Sequence, residues 1–395
     1  MEFWWLKLIP IVLVLLGVLG IVPILVYYER KVCAWIQNRV GPNRVGLLGP
    51  ESPLGLIGIK TSSTSALARL LRVLRLDGVV QPFADAVKLL SKEFFIPAGA
   101  DKLLYLMAPA FALLPPLIAY IVVPIGPDIL YDKARSPFML QVADLNVGIL
   151  FVLAVASLSA YGVAFGGWAS NNKYSLLGGV RAMAQMVSYE VAMGIVILSI
   201  VMTYDTVSLR DMVYQQAGGV KTGDVWDGVS YGIWDWGIRR QPLAFILFTI
   251  CAFAENNRLP FDLPECEAEL VGGYHTEYNS MGFGMFFQGE YIAMLTMGAL
   301  IATMFLGGWH YPFFWQIEHL HPAFFPLLGP ILAALIGLLV FSVKVLAFIF
   351  FSMWVRWTLP RFRWDQLMNL GWKIMIPLAL GNLVLTAFLG LSGQR

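Results

Sequence analysis

Long apolar runs separated by short polar stretches recur along the whole chain. They cover Phe3–Tyr28, Leu103–Val123, Leu145–Phe165, Met183–Thr203, Pro242–Ala254, Gly284–Leu306, Leu328–Phe351 and Ile374–Leu391. A bilayer core about 30 Å thick is crossed by about 20 helical residues, so these runs predict about eight transmembrane helices. Two further stretches are amphipathic rather than uniformly apolar. ALARLLRVLRL, within Glu51–Gly78, carries Arg69, Arg72 and Arg75 three apart among leucines. In VVQPFADAVKLLSKEFF, Val79, Phe83, Val87, Leu90 and Phe94 fall on one helical face, with Asp85, Lys88 and Lys92 off it. Both read as interfacial helices lying on a membrane surface.

The distribution of cations orients these spans. Loops following odd-numbered runs hold most of the lysines and arginines, among them Arg30, Arg39, Arg258, Arg356, Arg361 and Arg363. The opposite loops hold Lys133, Arg135, Arg210, Lys221, Arg239 and Arg240. The positive-inside rule therefore predicts both termini outside and a broad platform inside. Composition agrees with an all-α integral membrane protein, a single membrane domain over 1–395. Of its 395 residues 58% are hydrophobic and 13% charged, against about 45–50% and about 25% in soluble domains. Mean hydropathy is +0.71. The first run is too long for the apolar core of a cleaved signal and reads as a span. A net charge of +2 gives no reason to expect a nucleic-acid partner. Cys33, Cys251 and Cys266 lack metal or redox spacing and read as small buried apolar residues.

One stretch breaks the apolar pattern, AENNRLPFDLPECEAELVGGYHTEY (254–278), in an inner loop spanning 254–282. It gathers Glu255, Asp262, Glu265, Glu267, Glu269 and Glu277, six of the chain's 25 acidic residues. Pro264 suits the first turn of a short helix, on which Glu265 and Glu269 would share a face. Carboxylates so close in a low dielectric titrate as a set, a proton store beside a membrane. Glu190, Glu290 and Lys344 lie within apolar runs, where a lone charge costs at least about 2.5–3.5 kcal/mol. Together with the acidic loop they suggest a proton relay into the membrane. The inner arginines stand beside aromatics such as Trp35, Phe261, Trp357 and Phe362, as a groove for an amphipathic ligand would require. His310, His319 and His321 have no carboxylate at ligand spacing, so no metal site is expected. No nucleotide, haem or iron–sulfur motif is present, and electron transfer would have to occur in a partner.

Several motifs, ERKVCAWIQNRVGPNRVG (29–46), QPFADAVKLLSKE (81–93), AQMVSYE (184–190), the acidic loop and WTLPRFRWDQLMNLGWK (357–373), occur in one order. In that order they resemble the H subunit of proton-pumping NADH:quinone oxidoreductase, respiratory complex I. The resemblance spans nearly the whole chain and departs at Glu51–Gly78, an insertion, and at an enlarged Asp205–Gln241 loop. It implies a subunit that joins the hydrophilic redox arm to the membrane arm and forms the mouth and lower wall of the quinone chamber. By motif, Glu190, Glu255, Asp262, Glu265, Glu267, Glu269, Glu277 and Glu290 become a proton path. Arg30, Arg39, Asp85, Arg258, Arg356 and Arg361 become the quinone chamber, with Asp365 as a partner for its arginines. Quinone, ubiquinone or menaquinone, is the implied substrate, with flavin and iron–sulfur clusters in other subunits. The implied partners are the hydrophilic quinone-site subunits, small membrane subunits, antiporter-like subunits and membrane lipid. The implied location is a bacterial inner (plasma) membrane. Two other readings compete, the anchoring subunit of a membrane-bound hydrogenase and a free-standing ion/proton antiporter. The intact NNRLPFDLPE loop and paired arginine motifs favour the quinone-binding subunit over the hydrogenase anchor, no inverted repeat supports the antiporter, and a pure scaffold would leave the carboxylate density unexplained.

Overall fold

The computed structural model of the protein describes residues 8–42, 78, 80–127, 140–218, 220–222, 225–227, 233–264, 270–311 and 328–393. The helices are α1 (Leu8–Ile36), α2 (Gln81–Ser91), α3 (Lys102–Ala119), α4 (Gly148–Ala169), α5 (Lys173–Tyr204), α6 (Leu209–Gln216) and α7 (Pro242–Glu255). They continue with α8 (Ser280–Phe305), α9 (Leu328–Thr358), α10 (Trp364–Asn369) and α11 (Ile376–Gly393), the last two joined by a π-helical turn. A small antiparallel hairpin pairs Val220–Thr222 with Val225–Asp227. Among the described residues six helical segments are long and apolar enough to cross a membrane, and α7 is a shorter apolar helix. With α1, these make the eight-helix membrane architecture that the apolar runs predict.

Several boundaries differ from the sequence reading, each for a local reason. The first helix does not stop at Glu29-Arg30-Lys31 but runs on to Ile36. Glu29 continues the buried stripe of Val18, Val22 and Leu25 towards Val32, whereas Arg30 is exposed, so the three charges need not break the helix. The fourth span starts early, at Lys173, where the side chain of Asn172 accepts a hydrogen bond from Tyr174 N and caps the helix. Its Gly- and Asn-rich connector 166–185 has the composition of a loop entering a helix, yet only 170–172 interrupt the helices there, and Glu190 consequently sits mid-helix. In the polar stretch 205–241, α6 buries Leu209, Met212, Val213 and Gln216 and is capped by Ser208. That stripe is too short to stand out in the sequence. Helix α2 leaves Phe83, Val87 and Leu90 exposed on one side, as an interfacial helix would. The predicted basic helix with Arg69, Arg72 and Arg75, the turn at Pro264 with Glu265, Glu267 and Glu269, and His319 and His321 lie outside the described residues.

The helices meet closely where side chains are small. A Cβ on Gly162 of α4 would stand 2.5 Å from Ala112 N, and one on Gly289 of α8 would stand 2.8 Å from Ala112 O. Backbones of α3, α4 and α8 therefore touch around one alanine, the usual basis of helix association in lipid. At one end of the bundle the ends of α1, α7 and α9 converge, and Asn172 before α5 reaches Glu277. At the other end Gln216 donates to Thr303 O and accepts from Gly237 N and Gly307 N. Lys344, of α9, donates there to the carbonyls of Leu306, Gly308 and His310 at 2.7, 2.8 and 2.6 Å, with its ammonium over the Trp236 ring. Gln216 thus caps a carbonyl of the last turn of α8, and Lys344 takes up those of the segment that follows it.

Two outcomes follow. Gly162→Ala is expected to lower the stability of the purified protein by about 1–3 kcal/mol, read as a lower thermal midpoint. Gly194→Ala, at a site with no atom within 4 Å, serves as the control that should not fall. Burial, with Lys344 beside it, pushes the His310 imidazole from 6.5 down to about 3. Above pH 6.5 both folded and unfolded forms are neutral there and contribute no pH dependence. As pH falls from 6.5 towards 3 the unfolded chain takes up the proton and the folded one does not, so stability is lost. Thermal midpoints across that range should fall less steeply for His310→Asn, and an unchanged slope would count against this account.

Candidate functional site

The convergent end of the bundle holds a buried charge cluster that begins with Glu29 of α1. Its Oε2 pairs with Arg258 Nη1 at 2.7 Å and accepts from Tyr291 Oη at 2.6 Å, while Oε1 pairs with Arg356 Nη1 at 2.5 Å. Arg258 is 3% exposed and lies 4.3 Å from the centre of the Tyr291 ring, so its charge is met by a carboxylate and an aromatic face. Burial opposes ionisation of Arg258, but Glu29, Tyr291 and Glu290 outweigh it and raise its pKa above the ordinary arginine value. Four elements meet here: α1, the turn after α7, α8 and the end of α9.

A cavity of about 370 Å³ opens beside this cluster. It is lined by Glu29, Arg30, Arg39, Tyr291, Arg356 and Trp357, with Val26, Cys33, Pro42 and Phe287. Arg30 also pairs with Asp85 of α2 at 2.7 Å, with both side chains part-exposed. The structure thus brings Arg30, Arg39 and Arg356 to one cavity, with Asp85 tied to it and Arg258 behind Glu29. Arg361 instead pairs with Asp262 at 2.8 Å, and neither lines that cavity. Asp365 does not partner the chamber arginines. It stands on the exposed surface 3.8 Å from Arg363, because α10 turns it outward, and Glu29 and Asp262 take up Arg356 and Arg361.

On the opposite face of α8 lies a second polar locus. Glu255, 6% exposed at the end of α7, lines two water-sized cavities of about 40 and 30 Å³. The larger is also lined by Glu290, Asn256, Asn257, Tyr274 and Ser159. Tyr274 Oη lies 3.1 Å from Glu290 Oε1, and Glu255 Oε2 and Asn256 Oδ1 have no protein hydrogen-bond partner. Glu190 accepts from Ser157 Oγ and lies within electrostatic range of Glu255. Gln185 holds the turn in place, donating to Ala254 O, Asn257 Oδ1 and Phe261 O. Glu277 stands apart, accepting from Asn172 Nδ2 at 2.7 Å beside the stacked rings of Tyr105 and Tyr278, 4.2 Å between centres. Glu265, Glu267 and Glu269 lie outside the described residues. Lys344 has no place among these carboxylates, since its ammonium is taken up at the far end of the bundle. No group of three metal-ligating side chains occurs among the described residues.

Glu29 and Tyr291 are absent from the sequence-derived site, although both were visible in principle. Glu29 repeats the helical stripe of Val22 and Leu25, and Tyr291 follows Glu290 in an apolar run. The misplaced end of the first helix hid the former.

A polytopic helical membrane protein with an arginine-lined cavity and buried carboxylates on two faces of one helix is the class that fold and site define. Residues 9–387 match the family model for NADH dehydrogenase, and the chain belongs to that family. It is 44% identical over 382 residues to an H subunit of the NADH-quinone oxidoreductase of Geobacter metallireducens, covering 97% of this chain and 95% of the relative. It is 44% identical over 360 residues to an H subunit of the NADH-quinone oxidoreductase of Cytophaga hutchinsonii, covering 91% and 89%. Against the corresponding H subunit of Bdellovibrio bacteriovorus it is 42% identical over 395 residues, covering 96% and 94%.

Removing Glu29 leaves Arg258 charged, buried and unpaired, which typically costs about 3–5 kcal/mol. Glu29→Ala is therefore expected to lower the thermal midpoint sharply, whereas Arg363→Ala, 81% exposed in its side chain, should leave it nearly unchanged. Equal midpoints for the two variants would contradict the central role given to Glu29.

Proposed function

We propose that the chain is the membrane-arm subunit of a proton-pumping NADH:quinone oxidoreductase in a bacterial plasma membrane, its acidic-loop end facing the cytoplasm. It binds quinone in the arginine-lined cavity and links quinone reduction to proton movement through its carboxylates. The other subunits of that complex hold the flavin and iron–sulfur clusters that deliver electrons. The observation that carries this reading is the sharing of one helix and one turn. Phe287 and Tyr291 of α8 face the cavity, while Gly289, Glu290 and Ala293 face the carboxylates. Only the turn Asn256–Asn257 separates Glu255 from Arg258.

Quinone reduction takes up two electrons and two protons, and it changes charge where it occurs. Arg30, Arg39 and Arg356 donate to the quinone oxygens and orient the head, and Glu29 fixes the fork of Arg356. A change of charge there acts on Arg258 through Glu29 and so on the turn that carries Glu255. The cavity between Glu255 and Glu290 has the room and the polar partners for a water, which would let a proton pass between them. Glu190, in electrostatic contact with Glu255, continues the path into the membrane, and Asp262, Glu265, Glu267, Glu269 and Glu277 supply protons at the acidic-loop end.

The test uses the intact complex carrying Glu255→Gln or Glu190→Gln. Each is expected to lower quinone reductase activity and proton pumping by at least about tenfold. Transfer from NADH to a soluble acceptor through the redox arm should remain at the parental rate. Arg39→Ala should raise the KM for quinone more than it lowers kcat. Unaltered pumping in both glutamine variants would overturn the proton path, and an unaltered KM in Arg39→Ala would overturn the chamber.

A further inference from the structure

Of the two water-sized cavities beside Glu255, the one of about 40 Å³ has Glu290 in its wall. The one of about 30 Å³ lies further along α8, beside Thr296 and Met297. Among the described residues the two linings share Pro116 of α3, Ser159 of α4, Ala293 of α8 and Glu255. Only Ser159 and Glu255 of these bring a polar side chain to both. We propose that the Ser159 hydroxyl is a relay between the waters of the two cavities, carrying protons from the Glu290 side of Glu255 to the Thr296 side. This relay rests on the proton path proposed above.

The hydroxyl is available for that role. A serine in a membrane helix ordinarily donates to the carbonyl one turn back, which satisfies a donor that lipid cannot. Ser157, Ser170, Ser188 and Ser342 do so, at 2.9, 2.6, 2.6 and 2.7 Å from the carbonyls of Leu153, Gly166, Ala184 and Leu338. Ser159, half-buried on α4, makes no hydrogen bond to the described protein. Packing does not account for its oxygen, because an alanine would fill the same wall, as Ala156 does one turn earlier in the smaller cavity. Residues two apart on a helix point about 200° apart. Ser157 accordingly turns to Glu190, and Ser159 turns to the cavities that Glu255 lines.

The other polar groups around these spaces are mostly acceptors. Glu255 Oε2 and Asn256 Oδ1 are buried and have no protein partner. Thr296 Oγ1 stands 2.9 Å from Ile292 O and 3.1 Å from Pro116 O, so its proton is committed to a carbonyl. A water in the smaller cavity would meet Glu255, Ser159 and Thr296, and one in the larger would meet Glu255, Ser159, Glu290 and Asn256. Both sets fall within the range of about two to four partners that an internal water uses. Ser159 adds what acceptors lack, a proton that can be handed on. A water in one cavity gives a proton to Ser159 Oγ as the serine gives its own to the water in the other. One O–H bond forms at Oγ and one breaks, so no charge stays on the serine, and rotation about its Cβ–Oγ bond resets it.

The test uses the intact complex carrying Ser159→Ala, with Glu255→Gln measured in parallel. Ser159→Ala keeps the helix and the wall and removes only the hydroxyl. Quinone reduction and proton pumping are followed in H2O and in D2O. Both rates are expected to fall about fivefold in Ser159→Ala, the worth of one hydrogen bond, with a larger solvent isotope effect than in the parent. Electron transfer from NADH to a soluble acceptor should stay at the parental rate. Parental pumping in Ser159→Ala beside a loss in Glu255→Gln would overturn the relay and leave the proton path standing. Parental pumping in Glu255→Gln would overturn the path and the relay with it. A slower Ser159→Ala with the parental isotope effect would reduce the serine to a packing residue and overturn the relay as well.

Discussion

Everything at the convergent end of this protein depends on one carboxylate, Glu29, held between two arginines that come from remote parts of the chain. Arg258 follows the fifth apolar run and Arg356 ends the seventh, so the pairing fixes three helix ends relative to one another. Buried ion pairs are weak sources of net stability, because desolvation offsets most of the attraction. Their value is in specificity: Glu29 pairs at once with the buried Arg258 and the part-exposed Arg356, so the three segments that carry them must meet at one carboxylate. Tyr291 adds a donor and a ring face from a fourth element, α8. The cavity beside the cluster inherits its shape from that pinning.

The same helix presents a different chemistry on its other face. There the small residues Gly289 and Ala293 let α3 and α8 approach, leaving only water-sized spaces next to Glu255 and Glu290. Tight backbone contact around Ala112 and a carboxylate oxygen without a protein partner are two consequences of one packing choice. Large side chains at these positions would fill the spaces and separate the helices. Glycine thus serves both the close approach and the small polar cavity, and α8 becomes a wall between a ligand-sized cavity and a chain of acids.

Much of this was legible in the sequence. Apolar runs near 20 residues announce spans because lipid leaves the backbone no other solution, and the eight helices follow. The arginines and acids were identifiable from type and motif. Pairings were not, since Glu29 and Arg258 are 229 positions apart and nothing in either neighbourhood names the other. Helix ends were misread where composition and context disagree. Asn172, Gly178 and Gly179 resemble a loop in isolation, but the first is a cap and the glycines sit against the backbones of α4 and of Gly273. Asp365 is the partner that the family motif implies for the chamber arginines, yet other acids pair with Arg356 and Arg361.

Lys344 shows why a charge within an apolar run is not by itself a relay. The cost of placing an ammonium in the membrane is fixed, but what offsets it decides its role. All three N–H bonds of Lys344 end on carbonyls of the segment that leaves α8, those of Leu306, Gly308 and His310, and its positive charge lies near the negative end of that helix. Such a group is saturated and serves the fold. Glu255 is buried more deeply, but one of its oxygens has no hydrogen-bond partner, and the cavity it lines has a second acid, Glu290, in its wall. A carboxyl so placed keeps an acceptor unused beside a space of water size. The distinction between the two residues lies in the unused hydrogen-bonding capacity, and it separates the end of the bundle that anchors from the end that can respond.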